Sequence, residues 1–363
     1  MSMEVAWFAA LCDDDYEFLG VTDPARRSSW GHCRDIVDHA ERNGFDNVLL
    51  PSGYDLGIDA TAFAAAAAVH TDRINLLLAV RCGELWPPQL ARQLATIDQM
   101  AGGRLTVNII SSDLPGAPVA SGPRYRRSTE VMQLVRLLLD GEALDFDGEF
   151  FQLHLAPPSV RTVSGTCPPF YFGGMSEDAR DCAATAADVF LMWPDTFEGL
   201  RAIMDDMRSR ASSRQRSLRF GYRVHVIVRD TESAARDAAD RLMSRLDADV
   251  GEAIRSRSLD SQSVGVRRQA ELRESVASDD GYVEDNLWTG IGRARSGCGA
   301  AIVGDPDQVL AKLRAYEAMG MDALILSGYP HAQECDLFAR YVLPRLEHAP
   351  IHVPQHLRST PAP

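Results

Sequence analysis

The chain has 363 residues, 45% of them apolar, and carries 37 Lys and Arg against 51 Asp and Glu for a formal net charge of −14. So acidic a protein repels phosphate backbones and anionic lipid, which excludes nucleic acid and membrane surfaces as partners and obliges any anionic ligand to be met by local cations. No apolar run approaches the ~18 residues of a membrane span. The seven cysteines, scattered from Cys12 to Cys335, form no CxxC pair and no metal-ligand spacing, so free thiols in the cytoplasm and no metal site are expected.

The start, MSMEVAWFAAL, follows no basic leader and reads as a first strand over 4–11. After a polar loop from Cys12 to Ser28, the periodicity predicts a helix over Trp30–Asn43, a strand over 46–50 and an alanine-rich helix over Ala60–His70. A strand over 73–80, a helix through Gln89–Met100 stopped by Gly102-Gly103, a strand over 104–110 and a helix from Tyr125 to Leu139 follow. LDFDGEFFQLHL then alternates around Asp-Gly and predicts an inserted hairpin. Strands over 168–174, 189–193 and 219–229 resume the rhythm, with helices from Ser176, over Gly199–Arg210 and over Glu232–Leu246.

Residues 251–295 are polar and weakly periodic, which predicts a mobile lid there and no packed element. AAIVGDPDQ caps a helix over Pro306–Met319, and a last strand over 322–328 precedes a helix over Cys335–Leu346. Residues 351–363 are rich in proline and read as a flexible tail, disordered or laid on a neighbouring subunit. Eight strands alternating with helices predict an α/β TIM (β/α)8 barrel, a single domain over 1–350 whose active site lies at the strands' C-terminal ends. An open doubly wound sheet is the alternative, but no GxGxxG follows the first strand.

Arg223 and His225 alternate within RFGYRVHVIVR and so project from one face of a buried strand. Each needs a partner there, because an unpaired buried charge costs several kcal/mol. A core carboxylate for the arginine is the plain reading, and an anion bound between the two is the functional one. Two further segments favour the second: GIGRARSGCG brings Arg293 and Arg295, and LILSGYPH delivers Tyr329 and His331. Gly173, Gly174 and Ser176 in YFGGMSEDA join bare backbone to a helix start, which suits a phosphate or an ordinary N-cap. Arg124 and Tyr125 open the helix after strand four, as a cation and a phenol for a ligand or as a solvated helix end. Asn108 offers an amide to a planar heterocycle or caps a turn, and Trp193 walls the cavity or simply packs. No paired carboxylates, Ser/His/Asp set or nucleophilic cysteine stands out, which leaves the chemistry to a cofactor.

AWF near the start, NVLLPSG, ARQLATIDQMAGGRLTVNII, PPFYFGGMS, RFGYRVHVIVRDT, NLWTGIGRARSGCGAAIVGD and LILSGYPH together resemble the bacterial luciferase-like flavin monooxygenases, and among them most of all the alkanesulfonate monooxygenases. The resemblance spans nearly the whole chain, and its last three segments are the most specific. It implies a homo-oligomeric TIM barrel, dimer or tetramer, that receives reduced FMN from a separate NAD(P)H-dependent flavin reductase and uses O2 to cleave a C–S bond, releasing sulfite and an aldehyde. It also implies roles. Arg223, His225, Arg295, Tyr329, His331 and Trp193 match positions around the sulfonate and the reactive face of the flavin. Asn108, Tyr125, Gly173, Gly174 and Ser176 match flavin or phosphate contacts. Two loops on the substrate side depart from the family: Cys12 stands where it has a histidine, and Tyr54, Leu56 and Gly57 occupy the loop that carries its cysteine. Cys12 and Tyr54 are therefore candidate substrate contacts. The departures leave open a small anionic substrate such as a sulfonate, the same flavin chemistry on a non-sulfonate substrate such as a sulfone or a secondary metabolite, and a non-catalytic flavin-binding protein.

Overall fold

The computed structural model describes residues 2–257, 263–276 and 280–353. From the first residues the chain alternates β1 (Glu4–Phe8), α1 (Trp30–Arg42), β2 (Asn47–Leu50), α2 (Ala60–His70), β3 (Asn75–Arg81), α3 (Pro87–Met100), β4 (Leu105–Ile110) and α4 (Ser121–Asp140). A hairpin of β5 (Leu144–Asp147) and β6 (Gln152–Leu155) interrupts the pattern. It continues with β7 (Phe170–Gly173), α5 (Glu177–Ala186), β8 (Val189–Met192), α6 (Phe197–Ser213), β9 (Arg219–Val228) and α7 (Glu232–Met243). An insertion holds α8 (Ala248–Ser256), α9 (Val264–Ser275), β10 (Tyr282–Glu284), β11 (Leu287–Trp288) and β12 (Ala301–Gly304). The last elements are α10 (Pro306–Met319), β13 (Ala323–Ser327) and α11 (His331–Tyr341).

Eight strands close a parallel barrel in the order β1, β2, β3, β4, β7, β8, β9, β13 and back to β1, the eight that strand-like runs in the sequence mark out. Alternation decides which side chains go where. Ala6, Phe8, Leu49, Leu77, Tyr171, Val189, Ala323 and Ile325 meet inside the barrel, whereas Val5, Trp7, Val48, Leu50, Leu76 and Leu78 face the helices. Each large apolar side chain so buried contributes about 1.5–3 kcal/mol. The alanines of α2 serve the same end: with Ala60, Ala64, Ala67 and Ala68 inward, the helix backbone lies close on β3 and α3.

Strand β9 is ten residues long and changes partners along its length. Arg219–Tyr222 pair with β8, Gly221–His225 with β13 and His225–Val228 with β12. Through β12 the sheet runs on beyond the barrel rim into antiparallel β11 and β10. The sequence reading treats Ala301–Gly304 only as the approach to a helix and so misses β12, a four-residue strand wholly buried and legible as strand only through its neighbour. It also expects no packed element over 251–295, where α8, α9, β10 and β11 lie. The reason is in the buried residues: α8 buries only Gly251, and α9 only Gly265, Gln269 and Leu272, so neither shows an apolar stripe. At the far end α11 starts four residues before its expected start, because the extended Pro330 serves as N-cap and the His331 N–H finds its acceptor in Asp15 Oδ1 at 2.9 Å.

The expected tail is corrected where it is described. Ile351 and Val353 cover the N-terminal end of this same barrel, packed with Ala6, Leu77 and Tyr171, and the rest of the tail lies outside the described residues. Glu4 closes that end: it accepts from Tyr171 Oη at 2.8 Å and from the Ile351 N–H at 3.1 Å, and burial pushes its carboxyl up to about 7. A carboxyl raised by folding stabilises fully below its unfolded value, near 4.5, and loses that contribution as pH rises through about 7. Stability is therefore expected to fall across that window by about 1.4 kcal/mol for each unit between the two values. Subtracting the urea-melt stability of Glu4→Gln from that of the unaltered chain at each pH isolates the slope. A difference that stays flat from pH 4.5 to 7 counts against it.

Among the described residues, no helix is long and apolar enough to cross a membrane.

Candidate active site

The C-terminal ends of the barrel strands and the insertion enclose a cavity of about 960 Å³. Cys12, Tyr54, Asn108, Arg124, Tyr125, Gly173, Gly174, Ser176, Trp193, Arg223, Arg295 and Tyr329, all marked out by sequence, line it. His225 and His331 sit a layer behind its wall, both fully buried.

Arg223 points inward from β9 and has no carboxylate partner among the described residues. Nη1 donates to the carbonyls of Val224 (3.1 Å) and Ile325 (3.4 Å), and Nη2 is buried with no partner. Its guanidinium stands 4.4 Å from the centre of the Phe8 ring. Burial pushes its pKa down to about 10, so it remains a cation at neutral pH, held against an unfavourable environment. The plain expectation of a core carboxylate for this arginine is not met.

Arg295 stands over the same Phe8 ring, 5.3 Å from its centre, and its charge is compensated. Its Nη1 donates to the Asp14 carboxylate and, at 2.7 Å, to Tyr329 Oη. Burial alone would lower its pKa, but the Tyr329 oxygen and the Asp14 charge together raise it. Tyr329 packs edge-on against Tyr16 with ring centres 5.4 Å apart, and burial holds its phenol protonated, above the usual range.

The two histidines support this group from behind. His225 Nδ1 lies 2.8 Å from Ser327 Oγ while its Nε2 is buried without a partner, and its ring centre is 5.0 Å from that of Tyr329. Burial, and then Arg223, pull it well below the usual imidazole range, so it is neutral. His331 stacks on Phe8 with ring centres 5.6 Å apart, has neither ring nitrogen bonded, and is likewise lowered by burial.

Away from the arginines the wall changes character. A Cβ on Gly173 would lie 2.9 Å from the Leu191 carbonyl of β8 and one on Gly174 2.5 Å from Ala179 Cβ of α5, so the neighbouring strand and helix leave room only for bare backbone there. Ser176 is the N-cap of α5, its hydroxyl accepting from the Ala179 N–H at 3.2 Å. Arg124 pairs with Asp113 at 2.9 Å but keeps a buried Nε with no partner, and Asn108 and Tyr125 lie along the same stretch.

Trp193 follows β8 and supports the insertion: Cβ atoms on Gly265 and Gly297 would come within 3.0 and 3.2 Å of its ring. Alongside, Arg268 of α9 grips Asp195 with two bonds of 2.7 and 2.8 Å, and Gln269 donates to the Pro194 carbonyl at 2.7 Å. Cys12 is a protonated thiol, pushed up to about 12 by burial and then by Asp14. Tyr54 is two-thirds exposed at the cavity mouth. The sequence reading leaves Phe8, Asp14 and Asp15 unassigned. Asp14 is in plain view within three consecutive aspartates, but nothing local says which of the three meets the arginine from the far end of the chain.

A family model described as luciferase-like monooxygenase matches residues 3–323. A sulfoquinovose monooxygenase of Novosphingobium aromaticivorans is 64% identical over 357 residues, covering 96% of this chain and 98% of that protein. A sulfoquinovose monooxygenase of Agrobacterium fabrum is 50% identical, covering 99% and 94%. Among solved structures, a long-chain alkane monooxygenase superposes with a TM-score of 0.76 at 17% identity over 97% of this chain and 93% of its own, a likeness of fold.

Proposed function

Because the chain belongs to the luciferase-like monooxygenase family, we propose that it oxygenates a sulfonated sugar, cleaving the C–S bond to release sulfite and an aldehyde with reduced FMN and O2. The observation that carries this reading is Arg223, a buried guanidinium with one nitrogen unbonded and no counterion among the described residues, beside Arg295 at the mouth of the barrel. Two forked donors so placed suit the oxygens of one small tetrahedral anion. The names of the two relatives support a sugar as the carrier of that anion, where family resemblance alone suggests a simple alkanesulfonate.

The cavity suits FMN as well. Its volume lies at the upper end of the ~300–1,000 Å³ common for ligand sites. The unbonded Arg124 Nε and the bare backbone at Gly173 and Gly174 face one stretch of it, with Asn108, Tyr125 and Ser176 to hold the isoalloxazine edge and the phosphate. Reduced FMN, when bound, supplies the activation of O2 that these side chains cannot. Arg223 and Arg295 hold the sulfonate and neutralise negative charge, Tyr329 offers a phenolic proton, and the neutral imidazoles of His225 and His331 fix the rings around it. The described residues of the insertion, 263–276 and 280–295 with 251–257, form a cover resting on Trp193 and locked by Arg268 and Asp195, which keeps water from the reacting centre. A separate NAD(P)H-dependent flavin reductase supplies the cofactor, the free thiols suit a cytoplasmic setting, and the assembly is a homo-oligomer, dimer or tetramer.

Supplying a flavin reductase, NADH, FMN and oxygen and measuring sulfite from a 6-sulfonated hexose and from linear alkanesulfonates tests the reading. Sulfite is expected from the sugar at a kcat/KM at least about ten-fold above the alkanes, the scale of one or two added hydroxyl hydrogen bonds. Oxygen consumption without sulfite from any sulfonate would overturn it.

A further inference from the structure

The three consecutive aspartates after β1 do three different things. Asp13 accepts from the Ser28 N–H at 2.6 Å and so shapes its own loop. Asp15 accepts from the His331 N–H at 2.9 Å and ties the loop after β13 to the loop after β1. Among the described residues Asp14 alone meets the arginine pair: one carboxylate oxygen takes the Arg295 bond, and the other is buried with no partner there. Arginine only donates, so the Nη1 that reaches Asp14 also fixes Tyr329 Oη as an acceptor, leaving the phenolic proton to turn elsewhere.

Arg223 and Arg295 are cations, and among the described residues Asp14 is the carboxylate bonded to either of them; Asp15, which also lines the cavity, lies against His32 Nε2 at 3.0 Å and Arg26 at 3.9 Å. Burial keeps His225 and His331 neutral, and Tyr16 and Tyr329 remain phenols. Asp14 thus offsets one of two positive charges. On the desulfonation reading the site must hold a sulfonate, which carries one negative charge, and then release inorganic sulfite, which takes on a second. Two uncompensated arginines would favour the product anion over the substrate, because the attraction scales with the charge of the guest. We infer that Asp14 is the counter-charge of this arginine pair, a positioning residue that fixes Arg295 and lowers the oxyanion affinity of the site so that product sulfite leaves. The inference rests on the proposed desulfonation, but its decisive measurement does not need turnover.

Asp14→Asn keeps the shape and an oxygen that Arg295 can use, and removes the charge. Inorganic sulfate, titrated calorimetrically into the substrate-free protein, is expected to bind the Asn variant about ten-fold or more tightly than the unaltered chain, the scale of removing one nearby unit charge. Asp14→Glu, which keeps the charge, is expected to bind sulfate within about three-fold of the unaltered chain. In turnover with the reductase, the Asn variant is expected to show a lower kcat and stronger inhibition by added sulfate. A residue that merely held Arg295 in place would give the opposite sign, because an unfixed arginine binds anions less well. Sulfate affinity that is unchanged, weaker, or absent in both proteins overturns the inference, and Asp14→Gln, which also keeps an oxygen for Arg295 and removes the charge, carries the same expected sign should the asparagine variant not fold. Failure of the desulfonation reading shows separately, as no sulfite released by the unaltered chain.

Discussion

Arg223→Ala is expected to lower kcat/KM for a sulfonate by about 100-fold or more while leaving thermal stability unchanged or slightly raised. The loss follows from removing one side of a buried charge pair with the bound anion, which typically costs 2–5 kcal/mol. The stability result is the unusual part. Among the described residues Arg223 is buried without a counterion and its Nη2 makes no bond, and burial depresses its pKa to about 10, so folding works against its charge. The stacking on Phe8 that alanine would forfeit contributes about 0.5–2 kcal/mol and roughly offsets the relief. Lysine should restore activity only in part, since an ammonium lacks the fork that meets two oxygens at once. Sulfite release and urea melts on the same preparations decide it. A variant that unfolds, with Arg295→Ala silent in turnover, would make Arg223 a structural residue.

Arg295→Ala is expected to cost both activity and stability, because it leaves the Asp14 carboxylate at the cavity wall without its cation. Breaking a fully buried pair costs ~3–5 kcal/mol. The Asp14 side chain retains 16% exposure, and a discount for solvent brings the expectation to about 1–3 kcal/mol. Asp14→Ala combined with Arg295→Ala should recover most of that stability and none of the activity, a non-additivity that a double-mutant cycle in urea reads directly. Strictly additive stabilities would mean that the two side chains do not depend on each other.

The contrast between these two arginines marks the limit of what the sequence shows. The eight barrel strands are legible because strands buried on both faces read as continuous apolar runs, and their order around the barrel follows from their order in the chain. Glycine pairs and strand ends locate most of the cavity wall for the same reason. Which arginine is neutralised is not legible. Asp14 and Arg295 are joined only by closure of the barrel, and three adjacent aspartates look alike until the fold assigns each a partner. The depth of His225 and His331 escapes notice because alternation tells which face a side chain takes, not how much of the wall lies in front of it. The packed elements within the expected insertion are missed for a chemical reason: α9 turns Gln269 toward the barrel, where its amide bonds to Pro194 and Gly299 do what an apolar side chain does elsewhere.

The seam between β1 and β13, where Ala6 stands opposite Ile325, sets the order in which the molecule can come into being. Every other barrel neighbour except the β9–β13 pair lies within a stretch that a ribosome delivers in succession, so an arc of strands can assemble as it emerges, with β1 waiting at one edge and its inward face open to water. Closure must then bring together segments separated by almost the whole chain, the kind of contact that makes folding slow. Only after it do Ile351 and Val353 meet the underside of the barrel and cover Glu4. During translation the open arc, with its unpaired edge, is the species a cell must keep from self-association, and a chaperone that retains the chain until residues near 350 have emerged would act where this topology is most exposed.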